Sequence, residues 1–264
     1  MNIPHKQGGF FTTLALAAVG MAFSSGCTPR MADPVLTSSD PAAVVIPVAG
    51  QSLFAESASL FAPAETLYRQ RDPSATPRFM LVGRGQPVGT GPGATWTVRR
   101  SNGPTPDGPW TVDVERTMVM TAEGHAAIVR DIDHSEGVEV IFEPPMVVMP
   151  KELKSSGETF VQQTYMRVHP IGNRKRIKAE GAVRQEIVHA GGASIEASGN
   201  DTQRVGQHVI QTFRASLKPA EVVNVIHQWF APESGIVAQT SDERTRVLGV
   251  QIRHNVESWV IDAR

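Results

Sequence analysis

Beyond Leu67 the chain breaks into short stretches that alternate apolar and polar residues, each closed by glycine, proline or asparagine. This period of two constrains the fold more than any other feature, because it puts one face of a pleated strand in a core and the other outside. In Trp110-Thr-Val-Asp-Val-Glu-Arg-Thr-Met, Val112 and Val114 share a face while Asp113 and Glu115 point the opposite way; Val138, Val140 and Phe142 repeat the pattern. The alternation predicts strands at 79–82, 95–100, 110–121, 126–133, 138–143, 160–169, 176–189, 207–217, 236–242 and 246–263. Turn formers at Glu123-Gly124, Ser135-Glu136-Gly137, Gly172-Asn173 and Gly191-Gly192 predict antiparallel hairpins between neighbours. Residues 219–230 fit two periods. Helical spacing groups Val222, Ile226, Trp229 and Phe230, whereas alternation groups Val223, Val225, His227 and Trp229. The β-branched run Val222, Val223, Val225, Ile226 favours a strand, with a helix as the alternative.

The N-terminal quarter reads differently. Residues 1–9 carry Lys6 and no acid, an apolar run extends from Phe10 to Phe23, and Ser24-Ser25-Gly26-Cys27 follows. That is the anatomy of a secretory leader, expected to form a signal helix. The run is shorter than the ~20 residues that span a bilayer, which makes a transmembrane anchor the second choice. Ser25-Gly26-Cys27 resembles the lipobox of bacterial lipoproteins, with Ser24 where that motif usually carries Leu. The resemblance implies cleavage before Cys27 and acylation of its thiol and new amino group. Two or three acyl chains, at about 0.8 kcal/mol per buried methylene, suffice for stable anchoring. Thr28 is not the Asp that retains proteobacterial lipoproteins at the inner membrane, so the expected location is the outer membrane, facing the periplasm. The organisation expected is a signal peptide at 1–26, a tether rich in Ala, Ser and Pro at 27–65, and a β-rich domain at 66–264. Within the tether, Leu53 and Leu60, with Leu67 just beyond it, would share one stripe of a helix, but Pro63 interrupts it; a loosely ordered strip with some core contacts is the favoured reading, with a docked or interfacial helix as the alternative.

Two motifs carry a second resemblance. Glu143-Pro-Pro-Met-Val-Val-Met-Pro-Lys-Glu-Leu-Lys-Ser-Ser-Gly-Glu-Thr-Phe160 and Trp229-Phe-Ala-Pro-Glu-Ser-Gly-Ile-Val237 are similar to segments of the TapB-like periplasmic β-rich proteins, a family of unknown function. The resemblance spans about 138–245 and implies a curved antiparallel sheet or partial barrel. It transfers no catalytic residue. Physically, Pro144, Pro145 and Pro150 cannot donate to a ladder, which places that run at a sheet edge or in a crossover. Trp229 and Phe230 are expected to be structural anchors beside a tight turn at Gly235.

With 25 Lys and Arg against 26 Asp and Glu, the formal charge of -1 gives no field to attract nucleic acid. A single cysteine excludes an internal disulfide and cysteine-cluster metal sites. No metal and no cofactor is expected. Asp131-Ile-Asp133-His-Ser135 starts like a calcium loop, but Glu136 stands where that loop needs glycine, so the segment reads as a polar hairpin tip. The glycines from Gly83 to Gly93 follow an apolar run, yet Pro87 and Pro92 forbid the helix a nucleotide site requires. Arg174-Lys175-Arg176 with Lys178 reads as an exposed basic turn. No catalytic set is predicted: there is no G-x-S-x-G elbow, and no two histidines have metal-binding spacing. The function expected is non-enzymatic: an envelope protein anchored in the membrane through acylated Cys27, with an apolar ligand or an envelope protein as partner, or a structural role. The alternative is an envelope hydrolase whose site is assembled from distant strands, with His208, His227, His254, Asp242 and Glu257 as the residues to inspect.

Overall fold

The computed structural model describes residues 64–70, 78–151, 153, 155–196, 203–231 and 235–262. They form twelve strands: β1 (Ala64–Gln70), β2 (Phe79–Arg84), β3 (Thr95–Gly103), β4 (Thr111–Met120), β5 (Ala126–Asp133), β6 (Val138–Met149), β7 (Thr159–Pro170), β8 (Ala179–Glu196), β9 (Gln203–Leu217), β10 (Ala220–Ala231), β11 (Gly235–Val247) and β12 (Val250–Ile261). Each strand pairs antiparallel with its neighbours in the chain, and β1 returns to β12, so the curved sheet expected from sequence closes into a complete barrel. Closure leaves no sheet edge to protect. The leader, Cys27 and nearly all of the expected tether lie outside the described residues.

The alternation seen in the sequence becomes inside and outside. Met118, Met166, Val168, Val183, Ile187, Val209 and Phe213 point inward and form one apolar cluster with Trp96, Ile128, Phe142 and Phe230. A smaller cluster of Tyr68, Met80 and Trp259 sits where β1, β2 and β12 meet. The ambiguous segment 219–230 is a strand, and its pairs run unbroken from Ala220 opposite Leu217 to Phe230 opposite Gln207.

Four readings of the sequence are corrected. Gly191-Gly192 is no hairpin turn: β8 continues through it with a bulge between His189 and Gly191, where Gly191 takes φ 108°. The stretch 246–263 is two strands, divided at Leu248 (φ 52°) and Gly249 (φ 81°), a turn pair without the Asn or Asp that would have announced it. Leu67 and Tyr68, where the alternative helical stripe would have ended, lie on β1, which already begins at Ala64, inside the expected tether.

The fourth correction is the proline run. Pro144 and Pro145 sit inside β6, at neither an edge nor a crossover. Their missing donors cost little because the ladder to β7 stops at Glu143 opposite Tyr165. Beyond it, side chains take over. The Thr164 hydroxyl donates to Pro144 O, the Gln162 amide donates to Pro145 O at 2.9 Å, and the Val147 amide donates to Gln162 Oε1 at 2.7 Å. On the other side β6 resumes pairing with β5, Met146 opposite Ile128.

Candidate functional site

Antiparallel order places the β2–β3, β4–β5, β6–β7, β8–β9 and β10–β11 connections at one end of the barrel, with the start of β1 and the finish of β12. Towards this end lies a cavity of about 170 Å³, walled by Val82, Val98, Trp96, Met118, Met149, Phe230 and Ile236 and extended by Arg84, Arg100, Arg116, Gln211 and Gln228. Its size is close to that of an apolar cavity that holds one benzene-sized ring, and below the ~300 Å³ of pockets for drug-sized ligands. A slim chain or a single ring fits; a polycycle does not.

The polar residues around it are ordered by neighbours. Gln211 Nε2 donates to Gln228 Oε1 at 2.9 Å, and Gln228 Nε2 to Gln239 Oε1 at 2.8 Å, a ladder across β9, β10 and β11. Arg116 makes a bidentate pair with Asp131 at 2.8 and 2.9 Å, and Arg100 pairs with Asp113, which also accepts from Asn102 at 2.8 Å. Tyr68 donates its hydroxyl to Ile236 O at 2.9 Å, and burial pushes its pKa up to about 12. Arg84 stands apart. Its Nε is buried without a hydrogen-bond partner, and burial lowers the pKa of its guanidinium. No carboxylate among the described residues pairs with it.

The five residues named for a hydrolase site do not converge. His208 on β9 and His227 on β10 sit on the outer face, Nε2 to Nδ1 at 3.0 Å, with the His208 ring stacked on Trp229 at 4.9 Å. Burial, then the neighbouring His227 and His189, depress the His208 pKa to about 4; burial also lowers that of His227. Both imidazoles are therefore neutral at pH 7. Asp242 accepts from Arg244 at 3.0 and 2.7 Å and is 3.1 Å from His254 Nε2, also on the outer face. No hydrogen bond among the described residues joins this pair to the histidine pair. Glu257 faces the lumen, where it accepts from Trp259 Nε1 at 3.2 Å and Asn255 at 3.2 Å.

The remaining motifs are absorbed by structure. Asp133 accepts from Ser135 Oγ at 2.6 Å and the Glu136 amide at 3.0 Å, which makes 134–137 a hairpin tip. The glycine-rich loop leads into β3, with no helix behind it. In the basic knot, Arg174 is spoken for by a bidentate pair with Glu139 at 2.9 and 2.6 Å. Arg174 first, then Arg130, holds the buried Glu139 carboxyl below its usual range. Sequence reasoning missed Arg84 altogether; the signal was a cation at an even position of a stretch whose even positions, Met80 and Val82, face inward.

No family model matches the chain, so the TapB-like resemblance rests on its two motifs alone. No curated protein matches it either. Among solved structures it is similar to an exported-protein candidate with a YmcC-like fold from Bacteroides fragilis, at 11% identity and TM-score 0.39, over 83% of this chain and 97% of the other. A lipoprotein candidate from Parabacteroides distasonis is similar at 8% identity and TM-score 0.34, over 81% of this chain and 98% of the other.

Proposed function

We propose that this chain is an envelope lipoprotein, anchored in the outer membrane through acylated Cys27, whose barrel holds a slim apolar ligand on the periplasmic side without chemical change. The observation that carries the binding role is the cavity among Val82, Trp96, Met118, Phe230 and Ile236. Apolar burial gives about 0.8 kcal/mol per methylene, so a chain of roughly eight carbons gains about 6 kcal/mol, equivalent to a dissociation constant in the tens of micromolar. The test is titration with n-octanol, followed through tryptophan fluorescence, because Trp96 forms part of the wall. Saturable binding that Met118→Trp abolishes is the expected result. Binding unaffected by that filled cavity removes the proposal. The anchor has its own test: mass spectrometry of the N-terminal peptide is expected to find an acylated Cys27 as the first residue, and an unmodified thiol or another first residue overturns that half of the reading.

A further inference from the structure

Three arginines line the cavity, and the chain treats them unequally. Arg100 is paired with Asp113 and Arg116 with Asp131, as a charge withdrawn from water demands. Arg84, the last residue of β2, has neither a carboxylate nor a hydrogen bond among the described residues; the side chain is half-buried, with its Nε shielded from solvent. The phenol beside it is engaged elsewhere, donating to Ile236 O, so Tyr68 supplies no countercharge. An apolar wall of Val82, Val98 and Ile236 continues from the guanidinium. A fork of N–H donors at one end of a hydrocarbon-sized cavity is complementary to a planar or tetrahedral oxyanion carried on an alkyl chain.

Building on the reading that the lumen holds an apolar chain, we propose that Arg84 is the head-group site of a single-chain amphiphile with an anionic head, a carboxylate or a phosphate. The ligand is the partner that Arg84 lacks in the protein, as Asp113 and Asp131 are the partners of its neighbours. Burial already disfavours the lone cation, consistent with the lowered pKa of Arg84, and an incoming anion relieves that cost where a neutral head does not.

The test uses the full chain in phosphatidylcholine nanodiscs, with empty discs subtracted, and 8-bromooctyl probes that quench tryptophan on contact. Four heads are compared: carboxylate, phosphate, hydroxyl and trimethylammonium. Expected is at least tenfold tighter quenching by one or both anions than by the alcohol, weakest quenching by the cation, and loss of the signal in Trp96→Phe. The tighter of the two anions identifies the head. Arg84→Gln is expected to weaken the anions at least tenfold and to leave the alcohol within twofold, with Arg84→Lys in between. The ranking of heads on the unaltered protein needs no variant to fold. Equal quenching by all four heads, or anion binding unchanged in Arg84→Gln, overturns the head-group site while leaving the apolar cavity standing. Absence of quenching by the alcohol as well as the anions overturns both.

Discussion

At the scale of single residues, the outer-face histidines make the clearest commitment. His208 is stacked on Trp229 and packs against His227, and its proton affinity in the folded state is far below that of an exposed imidazole. Above pH 6.5 both folded and unfolded chains leave it neutral. As pH falls from about 6.5 towards about 4 the unfolded chain takes up the proton first, so stability drops over that window, by roughly 3 kcal/mol once below it. His208→Phe keeps a ring on Trp229 and removes the titration. Urea midpoints at pH 7 and pH 4.5 are expected to lie closer together in that variant than in the parent; an unchanged gap would show that His208 protonates freely in the fold. The neighbouring anchors follow their sequence reading, with Trp229 and Phe230 both buried, yet on opposite faces. Trp229 joins Val237, Ala238 and Val260, whereas Phe230 joins the lumen cluster. Adjacent residues of one strand must diverge in this way.

Strands were legible where apolar and polar residues alternate and turn formers bound them. Alternation covered β4 and most of β7 and β9, and the β-branched and turn residues delimit β5 to the residue although its ladders are bulged at Ala126 and Ile128. It failed at the bulge of β8, at the Leu248-Gly249 turn and along the prolines of β6, three places where a local exception is tolerated because a neighbouring strand or side chain supplies the missing bonds. Gln162 is such a supplier, and no sequence rule marks it. Gln162→Ala leaves the Val147 amide and the Pro145 carbonyl without their partner and is expected to cost about 2 kcal/mol, read as a lowered melting temperature. A full-strength melt would mean that water replaces the side chain. Curvature has its own device in β8, where a Cβ on Gly181 would come within 1.9 Å of Ser216 O. Backbone, not a flexible side chain, occupies that space. Gly181→Ala is expected to exceed the ~1–3 kcal/mol of ordinary overpacking, and a soluble variant of parental stability would show that the wall can bend away there.

For the whole molecule, the decisive fact is closure, and among the described residues the seam is its thinnest part. There β1 meets β12 through three paired residues, Tyr68 with Ile261, Arg69 with Val260 and Gln70 with Trp259, whereas β8 and β9 pair along nearly their full length. The sequence announces neither the seam nor the partner of β1, since first and last strands meet only after everything between them has curled. The same curl brings the segments 143–160 and 229–237 to one end, where Met149 and Ile236 share the cavity wall with Arg84. Site and seam are thus mechanically linked: Tyr68 lines the cavity, and its hydroxyl reaches past β12 to Ile236 O on β11. Tyr68→Phe removes one long-range bond, worth about 1 kcal/mol, without changing ring packing. Because so few ladder bonds among the described residues hold β1 to β12, that loss should appear locally before it appears globally. Hydrogen exchange is expected to speed up in the amides of 66–70 and 259–261, with β8 and β9 unchanged. Ligand entering beside Arg84 is expected to slow the same amides. Uniform acceleration over all strands would mean that the barrel opens only by unfolding as one unit, and that the seam is no gate.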